Sequence, residues 1–226
     1  MTHTPASLRP LVPPLIVSCT YTAAASVAAV ASGNLEFLFY VVVMLVLGSA
    51  VAVVHRHVSL SLASVWALAV WGALHMAGGL VPVPHSWPID GEIRVLYSWW
   101  IVPPFLKYDH VVHAYGFGVT TWICWQGLRR LAGPIAPSLG AMTLCVAASL
   151  GFGALNEVIE FVATLVFPRT NVGGYVNTGW DLVSNGVGAI VAAIVLSLTH
   201  RASVSRSSRD ASASSDSGRG RPPGIH

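Results

Sequence analysis

Residues 138–167 read SLGAMTLCVAASLGFGALNEVIEFVATLVF, and the only charges in this run are Glu157 and Glu160. A helix of about 20 apolar residues crosses the ~30 Å hydrocarbon layer of a bilayer. This run is longer than that, which predicts a tilted span or one bent near Gly151 and Gly153. In lipid the backbone must satisfy its own hydrogen bonds, so an uninterrupted apolar run crosses as a helix. The two carboxylates inside it must then find partners within the protein.

Five similar stretches surround it, at approximately 11–32, 35–54, 60–80, 109–127 and 180–199. The expected fold is an all-α integral membrane protein, a bundle of about six transmembrane helices spanning 11–199. Composition agrees. The chain of 226 residues is 54% hydrophobic and 9% charged, whereas soluble domains carry roughly 25% charged residues. Its main partner is therefore the lipid bilayer. The net charge of +3 gathers towards the C-terminus. No basic patch is interleaved with aromatic residues, so nucleic acid is not expected, and the basic tail suits an anionic leaflet. Cys19, Cys124 and Cys145 lie in apolar stretches without a CxxC pair, which predicts packing residues, with no disulfide framework and no zinc site.

Basic residues orient the bundle. With six spans, one side receives Arg9, Arg56, Arg129, Arg130, Arg201, Arg206, Arg209, Arg219 and Arg221. The other receives Arg94, Lys107 and Arg169. The positive-inside rule then places both termini in the cytoplasm. Residues 1–10 form a cytoplasmic N-terminus, and the Ser- and Arg-rich stretch 200–226 is expected to be a disordered cytoplasmic tail. A second reading of the first stretch is a signal peptide, since Arg9 precedes it and Ala29-Val30-Ala31 resembles a cleavage site. Against this, Pro13 and Pro14 sit early, and the run is long for a signal core. Segment 81–108 carries Trp87, Tyr97, Trp99 and Trp100 and is expected to lie on the outer face, as a lid or an anchored loop.

The polar residues inside the spans carry the functional question. Asp109 and His113 are spaced i, i+4 and share a helical face, with His110 beside them. Asn156, Glu157 and Glu160 form a second group, and Asp181 and Asn185 a third. At ~1.5 Å of rise per residue, His75 and His113 lie roughly 6–7 Å below the outer surface, Glu160 roughly 10 Å and Glu157 roughly 15 Å. Four helices thus place acids, amides and imidazoles in the same outer half, with small residues at Gly116, Gly118, Gly151, Gly153, Gly186 and Gly188 that permit close helix approach. Two buried carboxylates repel unless a proton or a cation lies between them. The expected ligands of a divalent metal are His113, Glu157, Glu160 and Asp181, with Glu157, Glu160 and His113 catalytic. Asp109, His75, Asn156, Asn185 and Tyr108 would support them from behind.

Three motifs carry a family resemblance: Tyr108-Asp109-x-x-x-His113, Asn156-Glu157-x-x-Glu160, and Thr178-x-Trp180-Asp181 running into Gly188-Ala189. Together they resemble the YjdF-like bacterial inner-membrane proteins over roughly residues 35–199. One departure is Asn156, which stands where the family usually has Tyr or a similar residue. The resemblance implies a multi-pass protein of the bacterial cytoplasmic membrane and implies no activity. Three functions are open at this point. One is a metal-dependent hydrolase acting on a lipid or lipid-linked substrate. Another is a structural or accessory membrane protein, with the cluster as a clasp. The third is an ion- or proton-coupled transporter, for which the inner half offers few polar groups.

Overall fold

The computed structural model describes residues 9–168 and 170–219, with side chains as far as residue 208. Arg169 and Arg221, counted in the charge asymmetry, lie outside the described residues, as do the side chains of Arg209 and Arg219.

Six long helices make up the bundle, and local signals set their ends. Helix α1 (Val12–Ser32) carries Pro13 and Pro14 in its first turn, where a missing N–H costs nothing. It stops at Gly33, whose φ of +66° favours glycine. Helix α2 (Leu35–Val58) starts at Asn34, whose side chain accepts from the Phe37 N–H at 2.9 Å. Ser61 and Ser138 cap α3 (Leu62–Leu80) and α5 (Leu139–Val166) in the same way. Helix α4 runs Tyr108–Ala132, and α6 runs Tyr175–Arg219.

The distribution of side chains is inside out. Phe161 is 59% exposed and Leu139 is 87% exposed, whereas Asp181 and Asn185 are wholly buried. A soluble protein would not expose apolar groups on this scale. Lipid satisfies the exterior and leaves the polar groups inside.

Among the described residues, five of the six long helices are long and apolar enough to cross a membrane. Helix α4 is the exception, which corrects the reading of 109–127 as an apolar span like the rest. It carries Asp109, His110, His113, Gln126, Arg129 and Arg130. It stands at the centre instead. It packs most extensively on α6, then on α5 and α3, while α1 lies outside against α2 and α3. At Gly188 a Cβ would collide with the carbonyl of Ala114, so glycine lets α6 and α4 touch backbone to backbone. The Ser149 hydroxyl, on α5, donates to the Phe117 carbonyl of α4 at 2.8 Å.

The segment between α3 and α4 folds into a cap over one end of the bundle. It contains an antiparallel hairpin of β1 (Trp100–Val102) and β2 (Leu106–Lys107), so the fold is helical with one small sheet. Its exposed backbone groups pair with each other where the chain leaves the helices. The Arg94 guanidinium donates to the carbonyls of Pro84 and His85, and the Trp87 and Trp99 rings lie 4.4 Å apart. A second correction concerns 200–219. The expected disordered tail begins as a continuation of α6, which runs unbroken to Arg219. Once a helix is nucleated, each added residue gains a hydrogen bond at little cost, and Ala, Ser and Arg tolerate it.

Candidate metal centre

The cluster forms at the capped end, where α4, α5 and α6 meet. On α4, Asp109 and His113 lie one turn apart, and His113 Nε2 is 3.5 Å from Asp109 Oδ1. On α5, Glu157 brings Oε1 to 3.8 Å from His113 Nδ1. On α6, Asn185 places its amide oxygen 3.0 Å from the same Nδ1. Gly153 makes room for that amide, because a Cβ there would lie 2.7 Å from Asn185 Nδ2.

Two groups of donors share His113. The ligand atoms of Asp109, His113 and Asp181 lie within 4.8 Å of one another, and so do those of His113, Glu157 and Glu160. The expected convergence is therefore present, with Asp109 in the inner group rather than behind it. His113 is 5% exposed, Glu157 8% and Asp181 0%.

Hydrogen bonds satisfy only part of this charge. Asn177 Nδ2 donates to Asp181 Oδ2 at 2.6 Å and to Asp109 Oδ2 at 3.4 Å. Lys107 Nζ donates to Asn177 Oδ1 and to Asp90 Oδ2. Asn156 Nδ2 donates to Glu160 Oε1 at 2.8 Å. Both oxygens of Glu157 and Oδ1 of Asp181 are buried with no hydrogen-bond partner. Such oxygens are costly unless a cation or proton joins them. A set of one imidazole and several carboxylates fits a divalent cation of the harder or borderline kind.

The Asn185 contact distinguishes the two ring nitrogens. An amide oxygen accepts, so Nδ1 carries the proton and the lone pair of Nε2 faces Asp109. The side of the ring fit to ligate a metal is thus the Asp109 and Asp181 side.

Three expectations need correction. Tyr108 does not serve the carboxylates: its hydroxyl donates to the Leu74 carbonyl at 2.9 Å and ties α4 to α3. His110 turns away from His113, because its Nδ1 accepts from the Lys107 backbone N–H and its ring lies against Trp100 and Trp180. His75 borders the cavity with Asp109 and Glu160, but among the described residues it makes no ion pair with a carboxylate; its Nδ1 is 2.5 Å from the Tyr97 hydroxyl. Burial, helped by the nearby Asp109 and Glu160, raises the Tyr97 phenol well above its ordinary pKa. It stays protonated and is the donor to His75.

Next to the cluster lies a cavity of about 110 Å³, bordered by Glu36, Tyr40, His75, Tyr97, Asp109, Glu160, Asn171 and Asn177. The sequence reading gave no weight to Glu36, Tyr40, Asn171 or Asn177. Asn177 was within reach of it, since it stands four residues before Asp181 at the start of a helix. Glu36 reads locally as an ordinary first-turn acid beside a cap. Only the fold shows it buried, with both oxygens accepting from the Asn171 backbone N–H at 3.0 and 3.1 Å.

Residues 13–202 match the profile of a family described as predicted membrane protein (DUF2238). This agrees with the membrane-family resemblance, without carrying the narrower YjdF-like name or a bacterial origin. No curated protein and no solved structure matches the chain.

Proposed function

The chain belongs to this family of predicted membrane proteins, and on that premise we propose that it is a metal-dependent hydrolase acting on a lipid or lipid-linked substrate. The observation that carries the reading is the unpartnered Asp181 Oδ1, wholly buried beside Asp109 and His113. Asp109, Asp181 and His113 Nε2 would hold the ion, and Asn185 would keep the imidazole in the ligating tautomer. When bound, the ion supplies Lewis acidity and lowers the pKa of a nearby water. Glu157 and Glu160 stand across the ring and handle protons. Glu160 borders the cavity and takes the proton of the attacking water. The water oxygen bonds to the electrophilic centre, the ester bond breaks, and the proton leaves with the alcohol or headgroup. Asn156 holds Glu160 in position.

The membrane we assign is the bacterial cytoplasmic one, with this end outward, on the support of the Lys and Arg distribution. Transport has less support. Below His113 the core between α4 and α5 continues as Phe117, Thr121, Ser149 and Trp125, with both hydroxyls satisfied by the Phe117 carbonyl, before the buried His55 and Ser64 and the half-buried Gln126 at the opposite end. A proton or ion route needs polar groups all the way across.

Elemental analysis tests the reading on protein purified in mild detergent without chelator. Wild type should carry near-stoichiometric divalent metal, and Asp181→Asn should lose it. Glu160→Gln should keep the metal and lose hydrolysis of a panel of phospholipids and lipid-linked phosphates. A metal-free wild type would leave the cluster as a hydrogen-bonded clasp and overturn the proposal.

A further inference from the structure

The cavity beside the metal ligands has its own chemistry. Its wall combines the carboxylates of Glu36, Asp109 and Glu160 with the rings of Tyr40, His75 and Tyr97. The rings form one connected set. His75 meets Tyr40 at 6.2 Å and Tyr97 at 5.5 Å between centroids, both near edge to face. Among the described residues, no Lys or Arg borders the space. Lys107, the nearest basic side chain of the cluster, is held by Asp90 and Asn177.

A wall of this kind repels anions and attracts cations. Aromatic faces bind ammonium groups through the ring quadrupole, and carboxylates add direct attraction. A hydrated metal ion would gain nothing from the rings, whereas an organic ammonium group uses both. With Asp109 turned to the metal, Glu36 and Glu160 are left to face the ammonium. Glu36 is fixed there by the Asn171 backbone N–H, which crosses from the loop before α6.

We propose that this cavity binds an ammonium group, so that the substrate class of the neighbouring metal centre is an amphiphile or small molecule carrying a substituted ammonium. The proposal rests on the hydrolase reading for its use, and on the cavity alone for its binding. The ammonium sits among Tyr40, His75, Tyr97 and Glu36, and positions the adjoining ester towards Glu160 and the metal ligands.

Calorimetric titration tests it, with tetramethylammonium chloride added to the full-length protein in a nonionic detergent. Wild type should bind saturably, at roughly 1 mM or tighter, the range a few such contacts supply. Tyr40→Leu should weaken binding about tenfold, Tyr40→Phe should retain it, and Glu36→Gln should weaken it to a similar degree. Both Tyr40 variants and Glu36→Gln should keep their metal, because neither residue is a ligand. Asp181→Asn should lose metal and still bind tetramethylammonium, so the two readings fail separately. Nanodiscs separate the sources. Weaker binding of tetramethylammonium in phosphatidylcholine than in phosphatidylglycerol discs assigns the group to a lipid headgroup, and equal binding assigns it to a free small cation. No saturable binding by wild type, or equal binding by Tyr40→Leu, would overturn the proposal. Thermal unfolding identifies any variant that fails to fold, and the Tyr40 pair carries the test if Glu36→Gln does.

Discussion

Asn185 is wholly buried and contributes one oxygen to the cluster, 3.0 Å from His113 Nδ1. Its effect is indirect. By accepting a hydrogen bond from Nδ1–H it leaves the Nε2 lone pair free to ligate a metal, the arrangement by which outer partners would tune a metal-bound imidazole. Replacing Asn185 with Leu removes the acceptor while leaving a side chain of similar size. Metal affinity should fall by about 10–100-fold, as is usual when such a partner is lost. Competition with a chelator of known affinity measures this, with circular dichroism as the check that the helices remain. Unchanged affinity would mean that Glu157, 3.8 Å from the same nitrogen, orients the ring instead.

At the scale of elements, the site depends on how closely α4 and α6 approach. Asp109 and His113 come from one and Asp181 and Asn185 from the other, and the two backbones meet at Gly188 and Ala114. A side chain at 188 must push the helices apart, because the atom in the way is a backbone carbonyl that cannot turn aside. Gly188→Val should therefore lower stability by about 1–3 kcal/mol or more, the usual range for overpacking, and should release metal at the same time. Gly151 is the control on α5. A Cβ there meets nothing within 4 Å, so Gly151→Ala should be neutral or gain up to about 1 kcal/mol from helix propensity. Thermal unfolding in detergent compares the two. Equal melting temperatures would show that α4 and α6 do not touch backbone to backbone at Gly188.

For the whole molecule, basic residues at one end predict its orientation. Helix ends that carry Arg56, Arg129 and Arg130 lie opposite the end that carries the cap, the cavity and the candidate metal ligands. On the positive-inside rule the first end is expected in the cytoplasm. A reporter active only in the cytoplasm should then work when fused after Arg130 and be silent when inserted near Asp90. The reverse pattern would turn the bundle over and bring the site to the inner leaflet, with its internal geometry intact.

The helical, membrane-embedded class of the chain was legible in the sequence, because lipid imposes a length and a composition that local stretches display one by one. So was most of the candidate metal centre. Acids and imidazoles are expensive in lipid, so Asp109, His113, Glu157, Glu160 and Asp181 stood out against their neighbours, and spacing of i, i+3 or i, i+4 put each pair on one face. The central place of α4 was not legible, since its enclosure depends on how α2, α3, α5 and α6 arrange themselves around it. Nor were the roles of Tyr108, His110 and His75. A helix face a few residues wide looks the same in sequence whether it turns to a carboxylate, a backbone carbonyl or a tryptophan. The cavity belonged to the tertiary structure altogether. Glu36 and Asn171 are 135 residues apart in the chain, Glu36 is locally an ordinary helix-start acid, and only packing removes it from water and sets it among aromatic rings.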